Sequence, residues 1–217
     1  MTGTVGTAPL EVRALGLVGY TEALALQERL REAVIAGGSE VLLLLEHPPV
    51  YTRGRRSRPG ELPMGEDWYR AQGIDVVETQ RGGLVTYHGP GQLVGYPIVR
   101  VDDLPAYVRA LEDALVDVLA AEGIEAHVRD GVAFTGVWVG DRKIASIGVH
   151  RSRGVAIHGF ALNVDNDLQP FEWIVPCGLD GVRMTSVCAQ TGRSGRLPAL
   201  RDRVAEALAA RLGRVPA

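Results

Sequence analysis

The chain has 217 residues, 46% of them hydrophobic, 23% charged and 6% aromatic, with a formal net charge of -3. That length and apolar content predict a single globular domain over 1–217 and exclude a disordered chain, while two cysteines are too few for a disulfide scaffold. A slightly acidic balance also excludes the broad basic face of a general nucleic-acid binder.

In chain order, residues 1–9 carry neither a basic start nor an apolar signal core, so a flexible end and a cytoplasmic protein are expected. Glu11 to Val18 reads as a first strand. Tyr20, Ala23, Leu24, Leu30 and Val34 recur at helical spacing, and Gly37-Gly38 ends that helix. Val41 to Leu45 is the longest apolar run, five residues, which suits a buried strand and is far too short to cross a membrane.

Residues 46–60, rich in Pro and Gly, read as a loop that carries Arg53, Arg55, Arg56 and Arg58, the densest positive charge in the chain. It is either a solvated loop or a docking patch for an acidic partner. Ile74 to Glu78, Leu84 to Tyr87 and Leu93 to Arg100 read as strands. Leu104 to Glu122 is the longest amphipathic helix, with Leu104, Val108, Leu111, Leu115 and Leu119 on one stripe. Val132 to Val139, Lys143 to Val149 and Val155 to Val164 then follow one another through tight turns as strands. A last helix runs from Pro198 to Leu212, and 213–217 is expected to be a flexible tail. Strands joined by hairpins rather than crossover helices predict an α+β domain on a mixed, mainly antiparallel sheet.

Four segments are too rich in Gly, His and Pro for ordinary strand ends. Arg81-Gly82-Gly83-Leu84-Val85-Thr86-Tyr87-His88 leads into Gly89-Pro90-Gly91-Gln92; paired glycines let a backbone approach a ligand closely, though a glycine-rich hairpin alone would look similar. Lys143-Ile144-Ala145-Ser146-Ile147-Gly148 contains the single lysine among 23 basic residues, which makes it either a chance survivor or a position needing a compact, titratable ammonium. Strand alternation sets Lys143 on one face with Ala145 and Ile147, and a buried lysine there needs a counter-charge or a lowered pKa. The third segment is His158-Gly159-Phe160-Ala161-Leu162-Asn163. The fourth, Pro176-Cys177-Gly178, holds a cysteine on a turn, where its sulfur is more exposed than that of Cys188, which fits a small buried hydrophobe. Neither metal-ligand spacing nor a phosphate-cradling loop is present, so no metal, cofactor or ATP is called for.

Together with Glu46-His47 and Val50-Tyr51-Thr52-Arg53-Gly54, these segments resemble the lipoyl(octanoyl) transferase family of lipoate biosynthesis, over nearly the whole chain. The resemblance implies a biotin- and lipoate-protein-ligase-like fold. It also implies transfer of an octanoyl group from acyl carrier protein to a lysine of lipoyl domains, in 2-oxoacid dehydrogenases and the glycine cleavage H protein, as the first step of endogenous lipoylation. By the same route Cys177 is the acyl-accepting nucleophile and Lys143 its activating partner. The substrate pocket is then expected from Arg81, Gly82, Gly83, Leu84, Val85, Thr86, Tyr87 and His88, from Ser146, Ile147 and Gly148, and from Gly159, Phe160 and Ala161.

The chemistry suits those residue types. A free cysteine has a pKa of roughly 8.5, and a neighbouring ammonium favours the thiolate. Lysine can pass a proton where arginine hardly can. An apolar slot gives roughly 0.8 kcal/mol per buried methylene, about 5 kcal/mol for six. Acyl carrier proteins are acidic, so the arginine loop at 53–58 is a candidate docking site. A monomer is expected. Two other readings remain: an ATP-dependent lipoate- or biotin-protein ligase, which needs no cysteine nucleophile, and a non-catalytic acyl-carrier-binding module.

Overall fold

The computed structural model describes residues 8–174 and 182–216. Its main sheet is built on the apolar run at 41–45. Strand β2 (Glu40–Glu46) places Leu42 and Leu44 in one core cluster and Val41, Leu43 and Leu45 in another. Both faces of the strand are covered, which is why its sequence is continuously apolar rather than alternating. On one face lie helices α3 (Leu104–Ala120) and α5 (Leu197–Arg211), which bury Leu111, Leu115, Leu119, Leu200, Val204 and Leu208. On the other lies α1 (Tyr20–Ile35), with Ala23 and Val34 buried.

Around β2 the sheet is completed by β1 (Ala8–Leu17), β6 (Gln92–Arg100), β7 (His127–Val128), β8 (Gly136–Val139), β9 (Arg142–Ser152), β10 (Val155–Asn163) and β12 (Arg214–Pro216). The order is β12-β1-β2-β6-β10-β9-β8-β7, and β11 (Arg183–Met184) pairs in parallel with β9. Pairs β1·β2 and β1·β12 are parallel and the other five along this path are antiparallel, giving the mixed α+β sheet expected. Residues 214–216, expected as a flexible tail, form an edge strand, and Arg214 Nε donates to the buried Glu40 carboxylate at 2.7 Å.

A second sheet, β4-β3-β5, consists of β3 (Val50–Arg53), β4 (Asp75–Glu78) and β5 (Thr86–His88). Thus Val50–Arg53, expected within a loop, is a strand: Tyr51 is buried with Tyr69, Ile74, Val85 and Tyr87 in a third core cluster. Helix α2 (Glu66–Ala71) closes this layer, and α4 (Val187–Thr191) precedes α5. Residues 132–134, expected as strand, form a 3-10 turn, bounded by the positive-φ glycines Gly131 and Gly136.

Candidate active site

The pocket forms where three glycine-bearing backbones cross. Gly82 N–H donates to Val149 O at 3.0 Å, and a Cβ on Gly148 would stand 2.8 Å from Gly82 O. Gly54 rests on the Gly83 carbonyl, and Arg56 N–H donates to Gly83 O at 3.2 Å. Side chains at these crossings would push the strands apart. The Arg81 guanidinium fixes the loop from within, donating to Thr52 Oγ1 from Nε at 3.0 Å and from Nη2 at 2.8 Å, and to Gly82 O at 3.0 Å.

The resulting cavity of about 60 Å³ has room for roughly four to six groups the size of a water or methylene. Of the expected pocket residues, Arg81, Gly83, Leu84, Val85, Thr86 and His88 line it, as do Ser146, Ile147 and Gly148 on β9 and Gly159, Phe160 and Ala161 on β10. Gly82 lies behind that wall, and Tyr87 packs into the third core cluster. Three further residues line the cavity that sequence reasoning did not assign to it: Tyr20, Tyr96 and His158.

Lys143 lines the same cavity and is 3% exposed. Its neighbours follow from a register shift between β8 and β9, where Val137 pairs with Ala145 but Trp138 pairs with Lys143. This bulge interrupts simple alternation: Lys143 and Ile147 line the cavity, whereas Ala145 is packed in the main core. On its other edge β9 pairs with β11, Met184 opposite Lys143, and Thr185 N–H donates to Lys143 O at 2.9 Å. The ammonium lies 5.4 Å from the Trp138 ring centroid. Beside it, the buried Glu112 carboxylate accepts from Gly136 N–H at 2.9 Å and meets Arg109 at 3.3 Å. Burial raises the Glu112 pKa, against the Gly136 hydrogen bond and the charges of Arg109 and Lys143. Cys177 lies outside the described residues.

Two imidazoles and two phenols, His88, His158, Tyr20 and Tyr96, line the cavity, and His47 packs against three of them. Tyr20, His47, His88 and Tyr96 are in mutual ring contact, and Tyr96 meets His158 edge-on at 6.3 Å. Val18 O can only accept, so His47 donates from Nδ1 at 2.7 Å and its Nε2 accepts from Tyr96 Oη at 2.7 Å. The Gln92 amide donates to Tyr87 O and Asn163 Oδ1, which leaves its Oε1 to accept from His88 Nδ1 at 2.8 Å. His158 has φ 59°, in the middle of β10, at a break in the β6 pairing between Ala156 and Phe160. The break faces Pro97, which has no N–H to give, and the Gln27 side chain accepts the His158 N–H instead at 2.8 Å. Neither ring nitrogen of His158 has a hydrogen-bond partner among the described residues.

Burial drives His47 down to about 4, against the Val18 hydrogen bond, and His158 down to about 3, helped by the Arg81 charge. His88 is pushed well below the ordinary histidine value by burial and by His47. All three are therefore neutral near pH 7, and the other basic side chains on the cavity wall are Arg81 and Lys143. Among the described residues no group of three or more His, Cys, Asp or Glu is disposed to hold a metal ion.

The four loop arginines do not act as one patch. Arg53 is tied to Glu66 at 2.9 Å and to Glu78 at 3.7 Å. Arg53, Arg55 and Arg58 border a polar hollow of about 630 Å³, and Arg56 faces a different groove.

Residues 19–209 match the family described as lipoyl protein ligase A/B catalytic domain. The chain is 47% identical over 222 residues to an octanoyltransferase of Mycobacterium ulcerans (strain Agy99), covering 96% of this chain and 91% of that one. It is 45% identical over 220 residues to an octanoyltransferase of Mycolicibacterium smegmatis (strain ATCC 700084 / mc(2)155), covering 97% and 92%. Among solved structures it resembles lipoate-protein ligase A bound with ATP, with TM-score 0.77, 18% identity and coverage of 97% and 89%. That last likeness is one of fold.

Proposed function

The chain belongs to the lipoyl(octanoyl) transferase family, and from that premise we propose that it moves an octanoyl group from acyl carrier protein, through a thioester on Cys177, to a lysine of lipoyl domains. The observation that carries this reading is the chain's only lysine, buried against a narrow glycine-walled cavity. The imidazoles on the cavity wall, His88 and His158, are held neutral by burial, and of the two other basic side chains there, Arg81 and Lys143, a lysine is the one that can pass a proton. Two described stretches flank Cys177: one ends at Ile174, packed beside Phe171 and Tyr87, and the next pairs Arg183–Met184 with Arg142–Lys143.

In the first half-reaction the Cys177 thiolate attacks the carbonyl of the donor thioester. The carbon–sulfur bond to the carrier breaks, and the Lys143 ammonium gives its proton to the departing thiolate. In the second, the target amine attacks the new thioester, and the neutral Lys143 takes the amine's proton. The Cys177 thiolate leaves, and the ammonium–thiolate pair is restored. One thioester is exchanged for another and then for an amide, so no external energy source enters. The octanoyl chain occupies the cavity between Leu84, Ile147 and Phe160, where burial of its methylenes supplies the affinity.

The fold is shared with ATP-using ligases, so the test must separate the two chemistries. The intact protein is mixed with octanoyl carrier protein, without nucleotide, and its mass recorded. A gain of one octanoyl group, localised to Cys177 and lost on adding a lipoyl domain, is expected. Acylation of the lipoyl domain from free octanoate that requires ATP, with no adduct on Cys177, would establish the ligase reading instead.

A further inference from the structure

Behind the Gly83 wall lies a second chamber, a groove of about 470 Å³ along the first turns of α3. It shares Gly83, Ile147 and Gly148 with the acyl cavity, so the two spaces are neighbours along a common wall. Its walls are mainly apolar, from Leu104, Val108 and the 70% exposed Val132. Three arginines stand at its rim. Arg109 is held by Glu112, and Arg129 lies 4.2 Å from the Trp138 ring centroid and donates to Gly140 O at 2.7 Å. Arg56 is exposed and forms no ion pair among the described residues, while its backbone N–H is bonded to Gly83 at the junction of the two chambers.

The geometry points to this groove as the seat of the donor's carrier arm, a pantetheine chain ending in a phosphate, with Arg56 as the phosphate contact; the inference rests on the octanoyl-transfer reading. When the acyl chain fills the cavity and its thioester stands beside Lys143, the rest of the donor must leave past Gly83, Ile147 and Gly148. A pantetheine arm has the matching character: geminal methyls and methylenes for an apolar trough, and an anionic phosphate at its far end for a guanidinium. The same arginine lies within the run Arg55–Arg58, whose charge would favour the approach of an acidic carrier to this loop.

The test compares three octanoyl thioesters as donors to a lipoyl domain: 4′-phosphopantetheine, pantetheine, and the short N-acetylcysteamine. Wild type is expected to prefer the phosphorylated arm over the unphosphorylated one by about tenfold in kcat/KM, the scale of one charge-assisted hydrogen bond. Arg56→Ala should abolish that preference. Val132→Trp, at an exposed position that folding does not depend on, should lower the ratio of pantetheine to N-acetylcysteamine rates by about tenfold through filling the trough. Equal kcat/KM for all three donors, or ratios unchanged in both variants, overturns the groove assignment and leaves the transferase reading standing. A rise in KM for the lipoyl domain with donor ratios unaltered assigns the groove to the acceptor and also overturns it. If wild type transfers from none of the donors, the transferase reading fails and the groove proposal with it.

Discussion

Gly136 is packed against the side chain of Lys143: a Cβ built on Gly136 would lie 2.6 Å from Lys143 Cε and 3.2 Å from Nζ. The same glycine has φ 132° and hands its N–H to the buried Glu112 carboxylate. Gly136→Ala must therefore displace the lysine, the β8–β9 bulge, or both. We expect a loss of about 1–3 kcal/mol in stability. Single-turnover acylation should fall by up to about a hundredfold, because a displacement near 1 Å is enough to disrupt a proton-transfer geometry. Unaltered acylation rates in a folded Gly136→Ala protein would detach Lys143 from the chemistry.

Lys143→Arg keeps a positive charge at the site, but places a planar fork where a narrow stem fits against Gly136 and Trp138. The fold should persist, with circular dichroism close to wild type and stability lowered by about 1–3 kcal/mol. Transfer should drop by about 10²–10⁴-fold, the usual worth of a positioned acid–base group. Wild-type single-turnover rates in this variant would rule out proton shuttling by Lys143.

The buried imidazoles give the stability a direction in pH. In the unfolded chain a histidine titrates near 6.5, whereas folded His47 and His158 are held at about 4 and about 3. The folded state therefore refuses protons that the unfolded state accepts. Stability is complete above pH 6.5 and declines as pH falls from there toward 4. Each imidazole contributes a slope of up to about 1.4 kcal/mol per pH unit. Glu112, whose pKa burial raises, acts in the opposite sense. Urea midpoints measured at pH 7, 6 and 5 should fall in that order, and His47→Gln should flatten the curve by one histidine's share. Equal midpoints at pH 7 and 5 would contradict the neutral cluster.

Replacing Arg55, Arg56 and Arg58 by Ser should weaken binding of an acidic carrier, mainly through the association rate, and reduce its salt dependence. Arg53→Ser should act differently, because its guanidinium is occupied by Glu66 and Glu78. It is expected to loosen the join between α2 and the small sheet rather than alter carrier kinetics. Stopped-flow association at two ionic strengths separates the cases; an unchanged salt slope in the triple variant would dismiss the docking role.

Much of the architecture was legible because its signals are local. The run at 41–45, the stripes of α1, α3 and α5, and the turns between β8, β9 and β10 each declare themselves within about fifteen residues. Val50–Arg53 was not legible as a strand, since what makes it one is pairing with β4 and β5 and burial of Tyr51 beneath residues far along the chain. The two-residue strands β7 and β11 carry no periodicity at all.

At the site, the paired glycines suggest close approach of a backbone to a ligand; in the fold, Gly54, Gly82 and Gly148 sit where one backbone crosses another. Tyr20, Tyr96 and His158 were missed as lining residues because they reach the cavity from three separate elements. His158 alone carried a hint, a histidine ahead of glycine within an apolar strand, but the left-handed φ it adopts falls at a break in the pairing with β6, which lies far away in the chain. The face of Lys143 was misjudged in part, because a bulge resets a period of two and has no signature in the residues themselves.

Ile147 belongs to both chambers at once. Trimming it to lengthen the acyl slot would not deepen a blind hole; it would cut a window into the neighbouring trough, through which solvent could reach a reactive thioester. Redesign of chain-length preference is thus better begun from the Phe160 side, where the ring closes over Gly95 and packs into the main core.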